Sequence, residues 1–415
     1  MKLPSPPFRQ YSWRYQLLLL DFVLLLTGLV FSPPLLSIGL IGISVVGILD
    51  IPKGINPQWV KNIQQGLRDP FSWGVITLYL IMLFSVWQTQ DWDYYFERLR
   101  IKLALLSLPI SWWGLPQLAP RHRRMIIAFL AYLIAAVSTI VLINYVQHFT
   151  EIQQAISEGR AIPVPRNHIR YSLLVALATL GALELWRVKA GQRSLTWAWL
   201  AGYLFIIQHL LAVRSGLACA YVGIAAMLFS HLIQTKQWKF GVISLAFLII
   251  VPFAAYQTVP SLKSKINYLK YELWLQQKDY ATQAYSDAGR LTSIQYGLEL
   301  WQDHPWMGVG TGNLRQEMDR LYAERLPGVE GKRPHNQYVS ILAGSGIFGF
   351  ILFMAASLLL VFGRGRWRDP VFFGVSAILF TSFMVENTLE NSAGLGMFCF
   401  FLLFYRPDNL VVCQA

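Results

Sequence analysis

The chain has 415 residues, 55% of them hydrophobic and only 14% charged, with a mean hydropathy of +0.42. Soluble globular domains carry about 25% charged residues, so this balance excludes an ordinary soluble enzyme and points to the bilayer. The formal charge of +13 does not indicate nucleic acid, because no Lys/Arg-rich tract stands apart from the apolar segments.

Read in chain order, Lys2, Arg9 and Arg14 precede an apolar run from Leu17 to Phe31. That resembles a signal peptide, but Ser32-Pro33-Pro34 follows where small residues would mark cleavage, so a retained first span is expected. Crossing roughly 30 Å of hydrocarbon takes about 20 mainly apolar residues. Such runs predict spans at 15–31, 35–49, 71–88, 101–115, 125–147, 169–186, 195–212, 215–233, 239–257, 337–362, 371–386 and 393–405. The expected fold is all-α, a polytopic membrane helix bundle of about twelve transmembrane helices. It divides into 1–257 with nine spans, a helical outer loop at 258–336, and 337–415 with three spans and a short tail. The cysteines Cys219, Cys399 and Cys413 lie in or beside apolar stretches and offer neither a disulfide framework nor metal-ligand spacing.

Charge sets the orientation. With the first residue inside, the inner segments collect eighteen lysines and arginines against four acids, whereas the short outer segments hold seven of each. The positive-inside rule then puts both termini in the cytoplasm and the long loop outside, in the periplasm of a two-membrane bacterium. Within that loop, 262–283, 291–303 and a stretch near 313–325 read as helices. Asp303-His304-Pro305 stops the second helix, and Gly308, Gly310 and Gly312 predict a turn rather than a phosphate cradle, since no strand precedes them. A structured lid on one membrane face favours an enzyme over a pore.

Three polar residues on that face stand out. Arg214 lies where the seventh span meets the eighth, as a snorkelling interface arginine or as an anion site whose planar fork donates in pairs. Arg290 opens a loop helix, where the dipole disfavours a cation; Asp287 or an anionic ligand would hold it there. His335, just before the tenth span, is an interface anchor or a general base with a neutral imidazole. Two fixed cations and one base suit attack on a diphosphate-activated carbon. Asp91-Trp92-Asp93 is the one acidic pair with divalent-metal spacing, although such pairs arise often by chance. Asp21 and Glu184 fall near span ends, where local pairing (Glu184 with Arg187) competes with a proton path. Glu386, Asn387 and Glu390 cluster on the outer side, where they orient the basic site or bond locally.

These residues also carry a likeness. The order Gly289-Arg290, Trp301, Pro305, Gly308-Val309-Gly310-Thr311-Gly312-Asn313, His335-Asn336-Gln337-Tyr338 and Gly346-Ile347-Phe348-Gly349 resembles the O-antigen ligase and O-antigen polymerase superfamily of bacterial membrane glycosyltransferases. Arg214-Ser215-Gly216 is similar to that family's short Ser-Arg-Gly element, with Val213 in place of the usual serine. The resemblance implies an undecaprenyl diphosphate-linked glycan donor, with Arg214 and Arg290 on the diphosphate and His335 taking the acceptor's proton. It implies Asn336, Tyr338, Glu386 and Glu390 as further substrate-binding residues, an inverting transfer, no metal or other cofactor, and a place in the bacterial inner membrane with a periplasmic active site. The acceptor is a lipid A core sugar in a ligase and another lipid-linked repeat in a polymerase. The single large outer loop favours ligase; Arg160, Arg166 and Arg170 in the loop at 148–170, with Arg320-x10-Gly331, keep polymerase open. A transporter or flippase of lipid-linked sugars is a further alternative, but neither inverted repeats nor mid-membrane breaks are evident. A metal-dependent transferase built on Asp91 and Asp93 is the other.

Overall fold

A computed structural model describes residues 12–50, 54–190, 194–277 and 286–407. Lys2, Arg9, Lys53, Arg193, Asp408 and Cys413 lie outside these, as do the end of the helix expected at 262–283 and the side chain of Asp287. Apart from a two-residue strand pair (Leu49–Asp50 with Gly54–Ile55), the described regular structure is helical.

Helices α1 (Trp13–Phe31) and α2 (Pro33–Ile48) form a hairpin. The Ser12 hydroxyl caps α1, and Ser32-Pro33-Pro34 ends it and starts α2 without asking for the amide that proline lacks. The two backbones touch at glycine: a methyl group on Gly28 would lie 2.2 Å from the Leu36 nitrogen. Small residues at such crossings replace the missing hydrophobic drive in a membrane with close packing. Next come α3 (Pro57–Leu67), α4 (Pro70–Leu80, tightening into a 3-10 stretch up to Gln88), α5 (Trp92–Lys102) and α6 (Ala104–Trp112). Then follow α7 (Pro120–Gln147), α8 (Phe149–Ser157), α9 (His168–Arg187), α10 (Ser194–Leu211), α11 (Arg214–Thr235) and α12 (Trp238–Thr258). The loop region holds α13 (Pro260–Gln277), α14 (Ser286–Asp303) and α15 (Leu314–Arg325). The chain closes with α16 (Gln337–Phe362), α17 (Pro370–Ser382) and α18 (Ser392–Tyr405).

Eight of the described helices are long and apolar enough to cross a membrane, and α2, α17 and α18 are shorter apolar helices. Together these make eleven apolar helices among the described residues, where about twelve spans were expected. The span expected at 101–115 is broken: α5 ends at Lys102 and α6 covers only nine residues. At the junction of the two helices the Lys102 ammonium turns inward and is 4% exposed. At the opposite extreme, α12 leaves Val242, Ile249 and Phe253 exposed. An apolar helix bared over most of its surface is stable only in apolar surroundings, which makes this a multi-pass membrane protein.

The glycine motifs of the loop act together as a lock. Helix α16 is interrupted at Gly346, whose φ of +62° and ψ of −167° suit glycine alone. Carbonyls freed there bind the turn after α14: Val309 donates to the Ala343 carbonyl at 2.9 Å and Gly310 to that of Gly344 at 3.1 Å. In return Ile347 donates to the Pro305 carbonyl at 2.9 Å. A methyl on Gly346 would lie 2.2 Å from the Trp306 oxygen, so both conformation and space forbid it. Gly346→Ala is expected to cost at least about 1–3 kcal/mol, seen as a lowered melting temperature in detergent; an unchanged melt would mean that α16 tolerates a continuous helix.

Candidate active site

The two arginines are presented by short, constrained segments. Only Ala212 and Val213 separate α10 from α11, and Ala212 takes a left-handed φ of +51°, a strained turn for a residue with a Cβ. Arg214 is then the first residue of α11. Arg290 lies one turn into α14. The two guanidinium-bearing residues line one cavity of about 450 Å³. Arg160, Arg166 and Lys265 line it as well, and among the described residues no carboxylate does. Five cationic residues around one open space favour an anion there.

Arg160 and Arg166 come from the loop between α8 and α9, which α13 clamps in place. The Lys265 ammonium donates to the carbonyls of Gly159 and Arg160, and Gly159, with φ +92°, has no room for a Cβ beside Tyr268. The sequence showed these arginines as basic residues of an outer loop, but nothing in it showed that α13 would fold the loop onto Arg214.

His335 does not line that cavity but is joined to it through Ser293. The Ser293 hydroxyl, fully buried, donates to the Arg290 carbonyl at 2.7 Å. Its one proton is thereby used, so at its 3.2 Å contact with Nδ1 the imidazole must be the donor. The His335 backbone N–H donates to the same oxygen at 3.1 Å. Nδ1 thus carries the ring proton and Nε2 keeps its lone pair. Burial, then the positive charges of Arg290, Lys332 and Arg333, push the His335 pKa down to about 4, so the ring is neutral at pH 7. Ser293, three residues after Arg290 on the same helix face, was missed in the sequence; its i+3 spacing was the available signal.

The remaining motif residues hold His335 still. Asn336 caps α16 by accepting from the Val339 amide at 3.1 Å and donates to the Met384 carbonyl at 3.1 Å. The Tyr338 hydroxyl donates to the Phe380 carbonyl at 3.0 Å. Asn387 donates to the Pro334 carbonyl and accepts from the Ser340 hydroxyl at 2.8 Å. Glu386 sits 3.9 Å from the Arg290 guanidinium. Burial raises the Glu386 pKa against the opposing pull of Arg290, Arg170 and Arg333.

Glu390 lies elsewhere, in a closed network. It pairs with Lys102 and, at 3.5 Å, with Arg333, and it accepts from the Gln337 amide at 3.3 Å. Burial alone would raise its pKa, but Lys102 and Arg333 hold it at about 2. It does not border the cavity of Arg214 and Arg290. Removing one partner of a buried pair costs about 3–5 kcal/mol because the other charge stays uncompensated. Glu390→Gln is therefore expected to lower the melting temperature sharply, by more than Glu386→Gln; equal melts would show that the network contributes no stability.

Asp91 acts locally. Its carboxylate accepts from the Tyr94 amide at 2.9 Å and caps α5, with Asp93 in the first turn. Among the described residues, no group of three or more His, Cys, Asp or Glu gathers. Glu184 pairs with Arg187 at 2.7 Å, as local pairing required. Asp21 is buried in the α1–α2 hairpin against Gly42.

Comparison with curated proteins returns no match. Residues 199–354 match the family model described as O-antigen ligase. That stretch contains Arg214, Lys265, Arg290, Ser293 and His335, while Arg160, Arg166, Glu386 and Glu390 fall outside it. The likeness carried by the Arg, Gly and His-Asn-x-Tyr elements thus extends from within α10 through α11 and α12 and the loop into α16, and over those residues the chain is similar to the O-antigen ligase family.

Proposed function

We propose that this protein is an inverting, metal-independent glycosyltransferase of the inner membrane, acting at its periplasmic face, that moves a glycan from undecaprenyl diphosphate to a hydroxyl of a lipid A core sugar. The acceptor oxygen attacks the anomeric carbon, the bond from that carbon to the diphosphate oxygen breaks, and its electron pair leaves with the diphosphate. Nε2 of His335 takes the hydroxyl proton. Arg214 and Arg290 bind the diphosphate and offset the charge that grows on it, with Asn336 and Tyr338 fixing the start of α16 beside His335 and Glu386 facing Arg290; Glu390, closed in its own network, is left to stability. In the free protein His335 is a weak base, because burial and then the charge of Arg290 lower its pKa. A bound diphosphate offsets that cation and raises the imidazole toward the working pH, so the base strengthens when the donor is present.

The observation that carries this reading is the cavity of Arg214 and Arg290, with five cationic residues and, among the described residues, no carboxylate in its lining, next to a histidine tied to Arg290 through Ser293. A second reading draws on Arg160 and Arg166, which bring a second basic outer loop to the same cavity and suit a polymerase joining two lipid-linked repeats. Deletion of the gene separates the two. Long glycan left on its lipid carrier supports the ligase; single lipid-linked repeats support the polymerase. If neither accumulates, and plasmid-borne wild type changes nothing, the protein does not transfer glycans.

A further inference from the structure

A second cavity, of about 560 Å³, lies at the other end of the bundle. Helix α7 has 28 residues, about 42 Å at 1.5 Å per residue. Its last turn leads toward the loop of Arg160 and Arg166, whereas Arg123 in its first turn lines this second space. The Arg123 guanidinium sits over the rings of Phe404 and Tyr405, at 5.7 and 6.0 Å. Among the described residues it makes no ion pair; Glu184 and Asp369 act on it only at longer range. The other arginine of the lining, Arg406, is taken up by Asp69 through two hydrogen bonds of 2.7 and 2.9 Å. Among the described residues, one cation of this lining thus remains for a ligand, and ring faces compensate only part of its lost hydration.

The walls are of two kinds. Gln58, Asn62 and Gln65 from α3 contribute amides, while Trp113, Leu118 and Phe404 contribute apolar surface. Helix α3 is fixed to the bundle on one side, where Trp59 donates to the Ile110 carbonyl at 2.9 Å and Asn62 to that of Trp113 at 2.7 Å. Val60 and Leu67 remain exposed, as on a helix lying in a membrane interface. A cation, hydrogen-bonding amides and an apolar wall beneath an interfacial helix fit a phosphodiester with an acyl tail. A free phosphate would use the cation but not the wall.

We propose that this cavity binds one anionic phospholipid, its phosphate on Arg123 and its glycerol and headgroup hydroxyls on the α3 amides. Basic pockets between helices near an interface recognise anionic headgroups in this way. The test uses the full-length protein in detergent, with phosphatidylglycerol, phosphatidylcholine and inorganic phosphate as probes, read by native mass spectrometry and melting temperature. Wild type is expected to retain one phosphatidylglycerol, with roughly tenfold preference over phosphatidylcholine. Arg123→Gln should lose the preference, Arg123→Lys should keep part of it, and Arg214→Gln, altered in the other basic cavity, should keep it all. Phosphatidylglycerol should raise the melting temperature of wild type and not of Arg123→Gln. Equal retention by Arg123→Gln, loss of retention in Arg214→Gln, or no headgroup preference each overturns the proposal. Stabilisation by inorganic phosphate to the same extent overturns the lipid and leaves a free-anion site. Should Arg123→Gln not fold, Leu118→Trp, which narrows the cavity without touching the charge, is expected to lose the lipid; full retention there counts against the site.

Discussion

Replacing His335 with Ala is expected to lower glycan transfer about 10²- to 10⁴-fold, the contribution of a placed general base, while the protein still inserts and still binds the donor. The pH profile makes the expectation sharper. A base works in its neutral form, and a histidine is neutral above its pKa. With His335 at about 4, kcat/KM for the wild type should be flat from neutral pH down to that region and fall below it as the imidazolium accumulates. Donor binding places negative charge on Arg290, which removes part of the push that keeps the pKa low. The acid limb of kcat should therefore lie at higher pH than that of kcat/KM. Full transfer by His335→Ala, measured with purified lipid-linked glycan, would take the base role away. Coincident limbs would mean that the diphosphate does not sit near the ring.

Much of this arrangement was legible in the sequence, and the exceptions have a common cause. Apolar runs marked most of the helices because a bilayer rewards hydrophobicity over a fixed length. Gly308, Gly310 and Gly312 read correctly as a turn. Their partner at Gly346, which makes the turn half of a lock with α16, was visible only as another element of the motif. The span expected at 101–115 failed because hydropathy cannot tell a lysine at an interface from Lys102, folded inward onto Glu390. Glu390 was grouped with Glu386 because they lie only four positions apart, yet one faces Arg290 and the other closes a buried network. Arg160 and Arg166 depend on Lys265, more than a hundred residues later in the chain. Local pattern reports which element a residue belongs to; what it faces is decided by segments far away in sequence.

Arg290 is where those distant contacts converge, and its variants are expected to separate charge from shape. Arg290→Ala should lower kcat by about 10²- to 10³-fold, as loss of one donor to a developing anion does, and KM by less, because the leaving diphosphate gains charge in the transition state. Arg290→Lys keeps the charge but not the planar fork that bonds two phosphate oxygens at once, so it should recover only part of the rate. The pH profiles should separate the variants in the opposite way. Arg290 is the largest charge acting on His335, so removing it lets the imidazole pKa rise, and the acid limb of kcat/KM should move to higher pH in Arg290→Ala. Lysine retains the positive charge, and its limb should stay near that of the wild type. A purely structural arginine, holding α14 against Glu386, would depress both variants through stability and shift neither limb. Wild-type rates in both variants would remove Arg290 from the chemistry, and the cavity would then have to be explained by Arg214 and the loop arginines alone.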